Sequence, residues 1–299
     1  MNRLLLVAAV AALGCAPAVQ RTEGPVVAAP EPGATQVLAT RADSMRRAAQ
    51  YDTDGETAKA RVLYQRLVDT APDPATKAAA QRAMAMSYAF DADCANATRL
   101  EEQVIAYWVT REQAEPQNAF YQQGEMANEA ARVCIDAGDL DAAERLYRRG
   151  TALGQREPEP RTHPRSLWEY RLAHALGRVA ARRGNAAEAQ RYVAEARRIL
   201  DADPAMAAQQ SRFLPYLAGY VALYTGDLAA AEAELTKALA IEGNQRDPFM
   251  PLLLASVYEK QGHRDRANAL YQKAYDMATA HNPPAAHVRP TARRKLATM

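Results

Sequence analysis

What this chain of 299 residues lacks narrows the reading before any motif is sought. It holds 4 Phe and 2 Trp beside 14 Tyr, and only 14 Gly. Its β-branched residues do not gather into alternating runs, so the pattern on which half-buried strands rest is missing. Charge of one sign is missing too: 37 basic and 35 acidic residues leave +2, without the concentrated basic excess of a nucleic-acid binder. No apolar run reaches the ~20 residues that a membrane-spanning helix needs. The five histidines, His163, His174, His263, His281 and His287, form no His-Glu-x-x-His pair. No nucleophile elbow, Walker loop or dinucleotide fingerprint is present. We therefore expect no metal, no cofactor and no catalysis. Glu101 and Glu102 are adjacent, and adjacent helical residues point in different directions, so they read as a solvated face rather than an acid–base pair.

What is present is alanine, with Arg, Glu and Gln in long runs. Alanine has the best intrinsic helix propensity and lets helices approach closely. The chain is expected to be all-α.

The N-terminus departs from this pattern. Met1-Asn2-Arg3 is a short positive segment, and Leu4 to Leu13 follows as ten uncharged residues. That combination reads as a signal peptide over residues 1–14. Ala12-Leu13-Gly14-Cys15 resembles a bacterial lipobox, which implies cleavage before Cys15 and lipidation of its thiol; Ala16 then implies the outer membrane, facing the periplasm. Cleavage after Ala16-Pro17-Ala18 is the alternative, and it would discard Cys15. Residues 15–38, with Pro17, Pro25, Pro30, Pro32 and Gly33, read as a tether, since a Pro-rich linker extends by ~3.1 Å per residue.

The body repeats itself. Gly55-Glu56 is followed by Ala60 and Tyr64, Gly138-Asp139 by Ala143 and Tyr147, and Gly184-Asn185 by Ala189 and Val193. Gly226-Asp227 leads to Ala231 and Leu235, and Gly262-His263 to Ala267 and Tyr271. A weaker copy has Ala92-Asp93, then Ala97 and Glu101. Glycine ends one helix in a left-handed backbone, Asp or Asn caps the next, and the small residue five positions on lets the second helix cross the first. The large residue four positions later lies on the same face.

This arrangement resembles the tetratricopeptide repeat (TPR) family, best at residues 41–72, 214–243 and 251–284 and in outline over 40–284. The resemblance implies a right-handed solenoid of stacked antiparallel helix pairs, about six of them over residues 39–284, with residues 285–299 as a basic capping helix. Turn spacings of 37, 46, 46, 42 and 36 exceed the ~34 of the family, so insertions are expected at Gln113–Pro116 and Gln155–Pro164.

In this family the first helix of each pair lines a concave groove. Carried onto this chain, that surface holds Arg171, His174, Arg178 and Arg182 in one copy and Phe213, Tyr216, Tyr220 and Tyr224 in the next. Earlier copies contribute Glu125, Asn128 and Arg132, and Arg82, Met86 and Phe90. Arginines can hold a carboxylate, and tyrosines offer apolar area with a polar tip. The same stripes also fit a wet helix face and ordinary interhelical packing. A protein or peptide partner, with acidic character, is expected; a small ligand or glycan in an aromatic groove is the alternative. With Cys15 assigned to lipid, Cys94 and Cys134 remain as either a disulfide in an oxidising compartment or two buried thiols.

Overall fold

Each of six turns in this protein closes in the same way, and those turns organise everything between them. In the computed structural model, which describes the backbone of residues 32–298 and the side chains from Thr40 onward, there is no strand among the described residues. Cys15, the segment 1–14 and residues 15–31 lie outside them. The helices are α1 (Pro32–Asp54), α2 (Thr57–Asp69), α3 (Pro74–Phe90), α4 (Cys94–Val109), α5 (Pro116–Ala137), α6 (Leu140–Gly154) and α7 (Arg165–Arg182). They continue with α8 (Ala186–Ala202), α9 (Pro204–Gln210), α10 (Leu214–Thr225), α11 (Leu228–Ala240), α12 (Phe249–Lys260), α13 (Arg264–Met277) and α14 (Pro283–Thr298). The protein is all-α. Helix α1 begins inside the stretch read as tether, because Pro32 is a favoured first helical residue whose missing N–H costs nothing there.

At the end of the first helix of each pair, the backbone N–H of Glu56, Asp93, Asp139, Asn185, Asp227 and His263 donates to the carbonyl five residues earlier, at 2.7–3.0 Å. This is the Schellman closure, and it needs a left-handed residue just before the donor. Gly55, Gly138, Gly184, Gly226 and Gly262 supply it with φ of 75–92°. In the weaker copy Ala92 takes φ 55°, the one positive-φ non-glycine among the described residues. The turn geometry therefore persists where the glycine does not. The next residue then caps the second helix: the carboxylates of Asp93, Asp139 and Asp227 and the amide oxygen of Asn185 each accept from a backbone N–H at 3.0–3.2 Å.

Five residues past each turn, Ala60, Ala97, Ala143, Ala189, Ala231 and Ala267 are all buried. Consecutive helices pack against one another from α2 to α8 and from α10 to α14, while α10 also packs on α7 and α8 across the short α9. This sequential stacking is consistent with a solenoid. Helices α5 and α6 cross closely. A Cβ on Gly124 would lie 2.8 Å from the Gly150 carbonyl and 2.5 Å from the Trp168 ring, and one on Gly154 would lie 2.1 Å from that ring. Gly124 and Gly154 thus form the slot that Trp168 fills, and Gly150 lets the two backbones approach.

Cys94 at the start of α4 and Cys134 near the end of α5 are joined in a disulfide, with Cα atoms 4.6 Å apart and a sequence separation of 40. Closing a loop of that length stabilises the fold by about 4 kcal/mol in the chain-entropy account. The insertion at Gln155–Pro164 is an ordered loop: the Arg161 guanidinium donates to the carbonyls of Gly154, Gln155, Glu157 and His163.

Helix α14 does not sit at the end of the stack as a cap. It packs on α3, α5 and α12 as well as on its neighbour α13, so it crosses the face formed by the first helices of the pairs. Its small residues Ala285, Ala286, Val288 and Ala292 are fully buried there, and close approach over that face is possible because they are small. His281, just before it, bonds Asp52 of α1 at 2.8 Å, and the guanidiniums of Arg289 and Arg293 donate to the Thr53 carbonyl. The last helix therefore bridges the first pair and the last.

Candidate functional site

The first helices leave two cavities on the face that α14 only partly covers. The larger, about 490 Å³, lies against α3 and α4, where Ala75, Ala79, Arg82, Met86, Tyr107 and Trp108 line it. The smaller, about 340 Å³, lies between α5 and α7 and is lined by Glu125, Asn128, Arg132, Arg171, His174 and Arg178, together with Tyr147, Tyr170 and Phe213. Glu129 and Pro283 line both. Residues that the sequence places on separate helices thus converge: Arg82 and Met86 on one cavity, and Glu125, Asn128, Arg132, Arg171, His174, Arg178 and Phe213 on the other.

They do not form the exposed stripe that their spacing suggests. Arg171 is half-buried and pairs with Glu125 across the α5–α7 contact, with its guanidinium 5.3 Å from the Trp168 ring. His174 and Arg178 are 9 % and 6 % exposed. Arg178 donates to the Tyr147 hydroxyl at 3.1 Å and, more distantly, to the His174 carbonyl at 3.4 Å. Arg182 lies over the Tyr224 ring, 5.0 Å from its centroid. A face carrying both Arg171 and Arg178 is half interior because α10 and the chain leading into it are laid over α7.

The aromatic stripe is corrected more fully. Tyr216 and Tyr220 are core residues at 6 % and 1 % exposure, packed on Phe249 of α12 with ring centroids 6.0 and 6.4 Å away. Tyr224 is exposed and Phe213 half-buried, and the Tyr224 ring is tilted against Tyr220 with centroids 4.5 Å apart. Helix α10 reads Leu-Pro-Tyr-Leu-Ala-Gly-Tyr-Val-Ala-Leu-Tyr, apolar on every side, and a helix apolar all round is an interior helix. Phe90, likewise assigned to the groove, stacks on His281 with centroids 5.7 Å apart. Tyr216, Tyr220 and Phe90 therefore do not line a groove, whereas Phe213 lines the smaller cavity.

Charges around the smaller cavity are paired with one exception. Arg82 pairs with Glu129, Arg171 with Glu125, and Arg132 with Asp136 at 3.2 Å. Among the described residues, no carboxylate pairs with Arg178. Two buried nitrogens on this wall, Arg132 Nη2 and His174 Nε2, have no hydrogen-bond partner. Burial pushes the His174 pKa well below its ordinary value; Arg178 and Arg132 add to the effect, and the Phe213 carbonyl opposes it. The imidazole is neutral at pH 7. Burial raises the Glu125 pKa, with Arg171 holding against it. No serine, threonine or cysteine lines either cavity. Among the described residues, no group of His, Cys, Asp or Glu could hold a metal ion, and no helix is long and apolar enough to cross a membrane.

Glu101 departs from the expected solvated face: it is 3 % exposed, while Glu102 is at the surface and pairs with Arg149. The repeat register held the signal for this. Glu101 stands nine residues after its turn, where the other copies have Tyr64, Tyr147, Val193, Leu235 and Tyr271, and such a position faces inward whatever occupies it. Burial and the nearby Glu129 raise the Glu101 pKa well above the ordinary 4.5, against the pull of Arg82. A carboxyl with a raised native pKa holds its proton longer in the folded chain than in the unfolded one. Its stabilising contribution is full below pH 4.5 and is lost as pH rises through the native value. We expect Glu101→Gln, which keeps the shape and removes the titration, to flatten the fall of stability from acid toward neutral pH. Urea unfolding of both proteins across that range checks this, and parallel curves would contradict it.

No family model matches the chain, and no curated protein matches it.

Proposed function

We propose that this chain is a non-catalytic docking protein of the TPR type, held at a bacterial outer membrane through lipid on Cys15, that takes a segment of a partner protein on its inner face. The observation that carries the reading is the meeting of the two cavities at Glu129 and Pro283. We read the two as one trough along the first helices, which line the concave surface in TPR proteins. Its α3–α4 end, with Met86, Val104, Tyr107 and Trp108, suits apolar side chains. Its α5–α7 end alternates Arg with Glu, so acidic character in the partner finds support only near Arg178. The positive-then-apolar N-terminus ending in Gly14-Cys15 supports the anchor, and the Cys94–Cys134 disulfide suits an oxidising compartment such as the periplasm.

The test uses an exposed residue on the trough wall. Ala79 is exposed and lines the α3–α4 cavity, so Ala79→Arg should fill the cavity mouth while changing stability by less than about 0.5 kcal/mol. Crosslinking in intact cells followed by membrane isolation should recover a partner with the wild type and lose it with Ala79→Arg. Undiminished capture by that variant would move the docking surface elsewhere. Recovery of the wild-type chain as a soluble protein whose mature N-terminus lies beyond Cys15 would remove the anchor.

A further inference from the structure

We propose that the cavity between α5 and α7 is a binding site for a small organic monocarboxylate carrying a hydroxyl, with its carboxylate seated on the Arg178 guanidinium. This goes beyond partner docking, with which it shares the α5–α7 cavity, and it adds the unpaired charge of Arg178 and two partnerless buried nitrogens.

The first observation is charge. An arginine taken out of water without a counter-ion loses several kcal/mol of solvation, and such charges in proteins are ordinarily paired. Arg178 is buried to 6 % exposure and meets only a phenol and a backbone carbonyl. Its guanidinium has five N–H donors, most of them unused, and it lines a cavity of about 340 Å³. The neighbouring cations are already matched: Arg132 by Asp136, Arg171 by Glu125 and Arg82 by Glu129. One cation is in excess, so one negative charge balances the site. A dianion would meet the Glu125 and Glu129 carboxylates on the same wall.

The second observation is hydrogen-bonding geometry. A guanidinium presents parallel N–H groups that match the two oxygens of a carboxylate. Arg132 Nη2 is a further buried donor without a partner. The His174 imidazole is neutral and has a backbone partner in Phe213, while its buried Nε2 has no partner and is open to accept from a ligand. An acceptor beside two cations calls for a ligand that also brings an O–H.

The third is shape. A cavity of about 340 Å³ lies at the lower end of the range for small-molecule sites, roughly 300–1,000 Å³. Tyr170, Phe213, Pro283 and Pro284 give it apolar walls that can cover a short hydrocarbon or aromatic body.

The experiment is calorimetric titration of the purified full-length mature protein with mandelate, a hydroxy monocarboxylate with one ring. Its amide, succinate, inorganic phosphate and a tripeptide with a free C-terminus serve as comparisons. Mandelate should bind, and mandelamide should bind about 10–100-fold more weakly, the factor for one charge-assisted hydrogen-bonded contact. Arg178→Met, which keeps volume and removes charge, should reduce mandelate binding by the same factor, and Arg178→Lys should restore part of it. The wild-type comparison of acid with amide decides the matter even if the Met variant does not fold. The proposal is overturned if no acid binds at millimolar concentration, if amide and acid bind equally, or if phosphate, succinate or the tripeptide binds more tightly than mandelate. Because the titration needs no partner protein, its failure leaves the docking reading standing, and the reverse also holds.

Discussion

Trp168→Ala should lower the free energy of unfolding by about 3–5 kcal/mol, the cost of deleting a large aromatic from a site that cannot collapse. Trp168 is completely buried, and its ring lies where Cβ atoms on Gly124 and Gly154 would be, with α5 and α6 already in backbone contact at Gly150. Those helices cannot move closer to fill the vacated space. The reverse substitution, Gly154→Ala, should also destabilise, since its new Cβ would stand 2.1 Å from the ring and neither helix nor indole has room to yield; overpacking of this kind costs about 1–3 kcal/mol. Urea unfolding monitored by circular dichroism measures both. A loss below about 1 kcal/mol for Trp168→Ala would mean that the slot relaxes and that Gly124 and Gly154 are not its rigid frame.

His281→Ala should cost about 3 kcal/mol and loosen the C-terminal helix selectively. The Asp52 side chain is wholly buried and accepts from His281 Nε2 at 2.8 Å and from Ser87 Oγ at 2.6 Å. Removing the imidazole leaves a buried side chain with one hydrogen-bond partner fewer, and stripping a partner from a buried polar group carries its full desolvation penalty. The same imidazole lies 3.2 Å from the Tyr64 hydroxyl and stacks on Phe90, so one substitution removes a junction between the chain leading into α14 and helices α1, α2 and α3. Hydrogen exchange should show residues 283–298 losing protection while α5 to α8 keep theirs. Uniform loss along the chain, or none, would show that Ala285, Ala286, Val288 and Ala292 hold the helix without help from His281.

Both predictions concern contacts between residues far apart in sequence, and that separation divides what could be read in advance from what could not. Turn positions at 55, 92, 138, 184, 226 and 262 were legible because Schellman closure and N-capping involve residues within one turn of each other. The buried alanines five residues later follow from the same local register. Glu101 was legible by that rule as well, yet its chemistry suggested the surface; position within the repeat outweighed residue type. The site was only partly legible. Spacing put Arg171, His174 and Arg178 on one face of α7 and Glu125, Asn128 and Arg132 on one face of α5, and these do converge on a cavity. Tyr216 and Tyr220 also share a face, but a shared face does not say what covers it.

The sequence by itself determined an all-α chain, the hairpin turns and the helical faces, because each depends on interactions within a few residues. Only the tertiary structure decided which of those faces meets water. Helix α12 covers the tyrosines of α10, α14 crosses the inner face where a terminal cap was expected, and α7 retains a buried arginine with no carboxylate beside it. Burial is a property of whatever else arrives at a surface. His281 meets Asp52 across 229 positions of sequence, and no periodicity within either helix encodes that meeting.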